Sequence, residues 1–168
     1  MQSQAHENNL RLLEQGLALL ENLDKAAYSV KSPLGASVGS HIRHIVDFYQ
    51  CFLRDVASLQ FDYDCRARDA VVEQDLDVAV RRLKAILDSF GAATFDPQAE
   101  CLCKTEASQP PEFARSTIQR ELQHLHAHTV HHFALISYIL TAYGISIPNG
   151  FGIAPSTLAY LQEESLAG

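Results

Sequence analysis

Hydrophobic side chains recur with the 3.6-residue period of an amphipathic helix in four long segments of the chain. In the first segment, from about Ala5 to Lys25, leucines form a stripe among Glu, Gln and Asn residues. The second segment runs from Val38 to Leu59, and Ser37 or Ser40 can cap its N-terminus. The pattern therefore predicts two helices in the first third of the chain, separated by a short loop.

The third and fourth periodic segments have clear start signals. Asp75 precedes an apolar stripe that ends near Gly91, which predicts the third helix. Ser116 and Gln119 have the S-x-x-Q spacing of a capping box. The longest helix is predicted to begin there and to run to about Tyr143.

The remaining segments are connections. Residues 60–75 are charged and alternating, which predicts a structured loop or a short extended stretch. Residues 92–112 contain three prolines and predict an irregular crossover with room for one extended segment. A last short helix is predicted over Thr157–Glu164.

Four long helices with little strand signal predict an all-α fold, a four-helix bundle with a long irregular crossover between the third and fourth helices. The 168 residues, 47% of them hydrophobic, are expected to form a single domain over residues 1–168. Because the crossover is long enough to run the length of the bundle, a simple up-down-up-down order is not required.

The composition excludes several classes of partner and location. The formal net charge of −7 leaves no basic surface for a phosphate backbone, so no nucleic-acid partner is expected. The most apolar stretch, Phe133–Ile147, is interrupted by polar residues and is too short to cross a membrane. The N-terminus has no features of a secretion signal, so a cytoplasmic location is expected. The four cysteines have no CxxC spacing and are interpreted as small buried hydrophobic residues.

Eight histidines are the unusual feature of the composition. On a helical wheel of the last long helix, His128 and His132 fall within the apolar stripe, and His41 and His44 do the same on the second helix. A buried imidazole without a partner costs about 1–3 kcal/mol for each unsatisfied group. Four inward histidines in one small core therefore need a common explanation.

A metal ion is that explanation. An HxxxH pair places two imidazoles on one helix face, and a third histidine from a facing helix completes a three-nitrogen site. The sequence thus predicts metal ligation by His44, His128 and His132. The alternative is that each imidazole bonds a backbone carbonyl or a hydroxyl group.

Two related motifs are excluded. The zinc-protease motif HExxH needs a glutamate directly after its first histidine, and Thr129 follows His128 here. A di-iron bundle needs several inward glutamates and two ExxH motifs, whereas Glu121-x-x-His124 is the one match in the chain.

Residues 37–49 (SVGSHIRHIVDFY) and 128–136 (HTVHHFALI) resemble the two metal-binding helices of the DinB-like superfamily, also called the DinB/YfiT metalloenzymes. The resemblance implies a four-helix bundle with one metal ion, usually zinc or nickel, held by the positions of His44, His128 and His132. Characterised relatives include thiol S-transferases that use bacillithiol or mycothiol and a mycothiol-dependent isomerase, and they are often homodimers. His41 is an additional inward histidine, either a fourth ligand or a partner of a ligand.

Three neutral imidazoles leave the charge of the cation uncompensated, so a bound water or low-molecular-weight thiol would be acidified. The sequence is therefore interpreted as a metal-dependent enzyme for a small-molecule substrate, either a thiol S-transferase or a hydrolase. Asp47 is a candidate base or ligand-orienting group, with a salt bridge as the alternative. His131 is a candidate proton shuttle, with a position at the bundle edge as the alternative.

Two arginines are candidates for substrate or cofactor binding. Arg66 and Arg68 lie in the charged loop and can receive an anionic group such as a thiol cofactor's carboxylate. The alternative is a solvated loop held by its own Asp–Arg pairs. The whole protein also has an alternative function, in which a coordinatively closed metal ion fastens two helices together without catalysis.

Overall fold

The computed structural model describes residues 3–33, 35–104, 110 and 112–167, with the side chains of residues 165–167 outside the description. These residues form helices and a small sheet. The helices are α1 (Gln4–Glu21), α2 (Lys25–Ser29), α3 (Val38–Asp55), α4 (Ala70–Gln74), α5 (Leu76–Ala92), α6 (Ile118–Ala142) and α7 (Pro155–Ala167). The strands are β1 (Gln60–Phe61), β2 (Glu100–Lys104) and β3 (Phe113–Thr117).

The four long helices α1, α3, α5 and α6 form the predicted four-helix bundle. Helix α1 packs against α5 and α6, and α3 packs against the same two helices. Helices α1 and α3 therefore occupy opposite corners of the bundle. Its centre is filled by fully buried aromatic and aliphatic side chains, among them Tyr49, Phe52, Phe90 and Phe133.

Helix α3 begins at the predicted cap. Ser37 is the N-cap: its hydroxyl accepts from the Ser40 backbone N–H, and the Ser40 hydroxyl accepts from the Ser37 N–H in return. The helix ends at Asp55, four residues before the predicted end at Leu59. Leu59 has a φ of 56°, and its carbonyl accepts from the Leu102 N–H on strand β2. Pairing with a distant strand thus ends the helix earlier than the local pattern predicts.

Two five-residue helices were not predicted from the sequence. The first predicted helix extends to Lys25, but α1 ends at Glu21 and α2 starts after Asp24, whose carboxylate accepts from the Ala27 N–H. Asp69 caps α4 in the same way. Elements of one turn carry too few residues to show a helical period.

The extended segment predicted within residues 92–112 is strand β2, and it belongs to a small sheet. Strand β2 pairs in parallel with β1 and antiparallel with β3, which gives a three-stranded sheet of order β1-β2-β3. The predicted capping box at Ser116 is wrong, because Ser116 lies in β3 opposite Cys101 and is held extended by that pairing. Thr117 caps α6 instead, and its hydroxyl accepts from the Arg120 N–H.

The C-terminal part follows the prediction more closely. Helix α6 ends at Ala142, and Gly144 has a φ of 71° in the turn that follows. Helix α7 begins at Pro155 and is longer than the predicted Thr157–Glu164, since proline is well tolerated in the first turn of a helix. Among the described residues, no helix combines the length and apolar character that a membrane span requires.

Candidate metal centre

Three histidines from two neighbouring helices point their ring nitrogens at one another. The Nε2 atom of His128 on α6 lies 3.1 Å from Nε2 of His44 on α3 and 3.2 Å from Nε2 of His132. The three side chains are half-buried, and one nitrogen from each lies within 4.8 Å of the others. The structure therefore brings together the three histidines that the sequence singled out, and this group can hold a metal ion.

Two of the three nitrogen–nitrogen separations are close to those of a tetrahedral metal site. Zn–N bonds of about 2.0–2.1 Å place tetrahedral ligands about 3.3–3.4 Å apart. The two Nε2–Nε2 distances of 3.1 and 3.2 Å are close to this value. The third pair, His44 and His132, has ligand nitrogens within 4.8 Å of each other, so one ion can lie within reach of all three imidazoles.

Burial keeps these imidazoles neutral. Removal from water, together with the Arg66 charge, lowers the pKa of His44 to about 4. Burial and the neighbouring histidines lower the pKa of His128 to about 3 and that of His132 to about 2. At pH 7 their lone pairs are therefore free of protons, as metal ligation requires.

His41 contacts the site from behind. Its Nδ1 lies 2.9 Å from Nδ1 of His132, on the side of the ring opposite the converging Nε2 atoms. If Nε2 of His132 binds a metal, its Nδ1 carries the proton and donates to His41. Of the two roles left open by the sequence, this geometry matches a partner of a ligand.

His128 is positioned by an aromatic ring. Its imidazole stacks on Phe48 with a centroid distance of 3.9 Å and an interplanar angle of 25°. Its Nδ1 atom is buried and has no hydrogen-bond partner among the described residues. Stacking on Phe48 therefore orients this imidazole in place of a hydrogen bond.

A half-open cleft of about 460 Å³ lies beside the histidines. His44 and His128 contribute to its wall, so a small molecule in the cleft can reach two of the three rings. Phe48 on α3 also lines the cleft, and residues from the β1–α4 loop, strands β2 and β3, and the first turns of α6 form the rest of the wall. The sheet in the crossover thus builds one side of the cleft.

A buried carboxylate holds this wall together. Glu121 on α6 accepts a hydrogen bond from the Tyr63 hydroxyl at 2.9 Å and another from the Ser116 hydroxyl at 2.6 Å. Burial, followed by the Glu121 charge, raises the pKa of Tyr63 far above its ordinary value, so the phenol remains a donor. The same two causes raise the pKa of the Cys103 thiol to about 12, so this cleft cysteine is not a thiolate.

Sequence reasoning missed Tyr63 and Glu121 as cleft residues. Glu121 lies seven residues before His128, two turns earlier on the same helix, and this spacing was a usable signal. His124, one turn before His128, also lines the cleft. Tyr63 had no comparable signal, because a loop residue is placed by the tertiary fold.

Asp47 and His131, the two candidate catalytic residues, do not line the cleft. Asp47 is buried, and its Oδ2 accepts from the Arg43 guanidinium at 3.3 Å, which is the salt bridge considered as its alternative. Burial raises the pKa of Asp47, and Arg43 acts in the opposite direction. The His131 side chain is exposed, with its ring 5.3 Å from that of His132.

The two candidate arginines are separated by the fold. Arg66 lines the cleft, with its guanidinium 5.1 Å from the centre of the Phe48 ring and Nη1 donating to the Tyr63 carbonyl. Arg68 is exposed, has a φ of 50° and does not line the cleft. The fold thus places one member of the pair beside the histidines.

Comparison with known proteins identifies the family of the chain and agrees with its fold. The sequence profile of the DinB superfamily matches residues 11–136, which is more than half of the chain and includes all three histidines. The chain belongs to the DinB superfamily. This membership confirms the resemblance carried by the two histidine-containing helices.

Solved DinB-like structures share the fold of this member. A DinB-like protein from Bacillus subtilis superposes with a TM-score of 0.64 at 17% identity, covering 87% of this chain and 96% of that chain. A DinB-like protein from Bacillus cereus ATCC 10987 gives a TM-score of 0.53 at 15% identity, covering 82% of this chain and 89% of that one. At these identities the comparison shows the fold alone.

A curated protein is more similar in sequence. FK506-binding protein 5 from Rhizopus delemar is 30% identical over 107 residues, which are 61% of this chain. The matched region is 28% of that protein, so this chain spans little more than a quarter of the relative's length.

Proposed function

We propose that this DinB superfamily protein is a metal-dependent enzyme that binds one divalent transition metal, zinc or nickel, through His44, His128 and His132. The observation that carries the proposal is the convergence of three neutral imidazole nitrogens beside an open cleft. A cation bound there supplies Lewis acidity, which favours the deprotonated form of a thiol or water near neutral pH. The reaction class is thiol S-transfer or hydrolysis of a small-molecule substrate.

The position of His41 supports catalysis over a purely structural ion. A structural site is coordinatively closed, whereas a catalytic site keeps one position for an exchangeable ligand. The Nδ1 contact between His41 and His132 places His41 behind a candidate ligand, so a bound ion would be held by three histidines rather than four. The cleft beside His44 and His128 provides space for a fourth, exchangeable ligand.

Metal analysis tests the site. The untagged protein is expected to contain about one zinc or nickel ion per chain, measured by mass spectrometry of the elements. His44→Ala and His132→Ala are each expected to lose it, because two imidazoles are too few to hold the ion tightly. His126→Ala is the control, since His126 lies on the same helix in a different depression with Gln4 and Gln119. Retention of stoichiometric metal by either ligand variant would contradict the assignment.

A spectroscopic titration separates an enzyme from a structural metal protein. In the cobalt-substituted protein, 2-mercaptoethanol is expected to change the visible spectrum by binding through sulfur. A spectrum that stays unchanged at a large excess of the thiol would indicate a coordinatively closed metal site. A screen of glutathione, bacillithiol and mycothiol against chlorinated and epoxide electrophiles then addresses the thiol-transfer reaction, with the His132→Ala variant as the inactive reference.

A further inference from the structure

The cleft beside the histidines is rich in cations although the chain as a whole is acidic. Its wall contains Arg66, Lys104, Arg115 and Arg120, whereas the formal net charge of the protein is −7. A cleft lined by cations attracts negatively charged ligands. Which of these cations are available to a ligand depends on their partners.

Lys104 is neutralised within the protein. Its Nζ lies 3.3 Å from carboxylate oxygens of both Asp62 and Asp64. The other carboxylate in the wall, Glu121, already accepts from the Tyr63 and Ser116 hydroxyls. These hydroxyls are neutral, so Glu121 keeps its charge. The wall therefore carries four cationic side chains against the two carboxylates of Asp64 and Glu121, which leaves an excess of positive charge.

The three arginines lack a carboxylate partner among the described residues. Within the part of the chain that the structure describes, no carboxylate lies within 4.0 Å of the guanidinium of Arg66, Arg115 or Arg120. Arg115 and Arg120 are exposed at the edge of the cleft, on β3 and in the first turn of α6. Arg66 is half-buried, so it has lost part of its hydration without gaining an ion pair.

Arg66 is also held in place and close to the histidines. The ring of Phe48 lies under its guanidinium, and Nη1 is fixed by the bond of 2.7 Å to the Tyr63 carbonyl. Phe48 stacks on His128 with its ring, so Arg66 and His128 share one aromatic side chain.

We propose that the cleft binds an anionic small molecule whose carboxylate or phosphate group is anchored on Arg66, with Arg115 and Arg120 strengthening the attraction at the edge. A guanidinium matches both anions with two parallel N–H donors. The cleft volume of about 460 Å³ falls in the range of small-molecule sites. The rest of the ligand lies against His44 and His128, so the anchor sets which substrates reach them. The reaction at the histidines rests on the proposed function, whereas anion binding does not.

Calorimetric titration of the metal-free protein tests the anchor with succinate and inorganic phosphate as probes. At least one of them is expected to bind saturably, and neutral succinamide is expected not to bind. Arg66→Gln should weaken binding at least about tenfold, because charge-assisted hydrogen bonds are lost. Arg68→Gln is the matched control, since it removes the same charge from the same loop outside the cleft, and its affinity should be unchanged.

A second variant keeps the proposal testable if Arg66→Gln does not fold. Arg115 and Arg120 are exposed, so the double variant Arg115→Gln/Arg120→Gln should fold and should weaken anion binding about two- to fivefold for each charge removed. Comparison of the two probes decides between a carboxylate and a phosphate. The proposal is overturned if neither anion binds, if both cleft variants bind like the unchanged protein, or if Arg68→Gln loses as much affinity as Arg66→Gln.

Metal content separates this result from the proposed function. Anion binding by the metal-free protein is expected even if the histidines hold no metal. Conversely, stoichiometric metal without anion binding would leave the histidine site intact and refute the anchor.

Discussion

At the scale of single residues, His6 shows how a structural core histidine differs from the histidines of the candidate metal site. His6 is 1% exposed, and its Nε2 lies 2.8 Å from the Phe90 carbonyl oxygen, which satisfies it within the fold. This is the arrangement that the alternative interpretation of the sequence assigned to every inward histidine. The nitrogens of His44, His128 and His132 instead face one another, which favours a shared cation over separate carbonyl partners.

His41 gives a prediction at this scale. His41→Ala removes the partner of Nδ1 on His132, so the ligand loses its fixed orientation. Metal affinity is expected to fall about 10- to 100-fold, as for other partners of metal ligands. Competition with a chelator of known affinity measures this loss.

The spectrum of the same variant distinguishes a partner of a ligand from a ligand. The cobalt-substituted His41→Ala variant should keep the absorption spectrum of the unchanged protein, because the set of nitrogen ligands is the same. A changed spectrum would identify His41 as a fourth ligand. His126→Ala is expected to bind metal with unchanged affinity.

Helical phase was sufficient to predict which histidines meet, because a period of 3.6 residues determines which side chains of a helix face inward. It did not separate Arg66 from Arg68, since loop residues have no fixed phase. Both were candidates from the sequence, and the backbone turn at Arg68 places one in the cleft and the other in solvent.

At the scale of elements, the short helix α4 crosses closely over the start of α3. A side chain at position 39 would clash with the Glu73 carbonyl oxygen, and its Cβ would lie 2.8 Å from the Tyr28 ring. The Tyr28 hydroxyl donates to the Val72 carbonyl and so also holds α4 in place. Gly39 therefore permits the contact that supports the helix carrying His41 and His44.

Gly39→Ala is expected to destabilise the protein by about 1–3 kcal/mol, since overpacking against a backbone atom forces α4 to shift. Chemical denaturation of the metal-free protein measures the change in the free energy of unfolding. Gly91→Ala is the matched control near the end of α5, where the nearest atom to an added Cβ is Leu10 Cδ2 at 3.6 Å. Equal stability of the two variants would show that α4 does not pack tightly on α3.

The helices of the bundle were largely predictable, because each long helix buries a continuous apolar stripe that the sequence displays. The sheet was not. Strands β2 and β3 are five residues each and mostly exposed or half-buried, so their alternation is weak. The pairing of β2 with β1 nevertheless ends α3 early. The pairing of β2 with β3 moves the cap of α6 to Thr117, and the sheet builds one wall of the cleft.

At the scale of the whole molecule, the neutral histidines make stability depend on pH. In the unfolded chain they titrate near pH 6.5, whereas in the folded metal-free protein the pKa of His44 is lowered to about 4 and those of His128 and His132 further. The unfolded state therefore binds more protons as the pH falls below about 6.5, and this favours unfolding.

The metal-free protein should lose thermal stability between pH 7.5 and pH 5.5, by about 2–4 °C for each kcal/mol lost. The variant His128→Gln/His132→Gln lacks two of these groups, so its unfolding midpoint should fall less over the same range. Differential scanning calorimetry at three pH values checks this. Parallel curves for the two proteins would show that these histidines do not control the acid sensitivity.

The sequence by itself determined the helical class, the superfamily resemblance and the four inward histidines, because periodicity and helical phase are local properties of the chain. The tertiary structure decided the rest. It brought Nε2 of His44 within 3.1 Å of His128, placed His41 behind His132, and joined Arg66 to arginines some 50 residues further along the chain around one cleft. Contacts between distant segments depend on how loops and strands pack, and no local pattern records that packing.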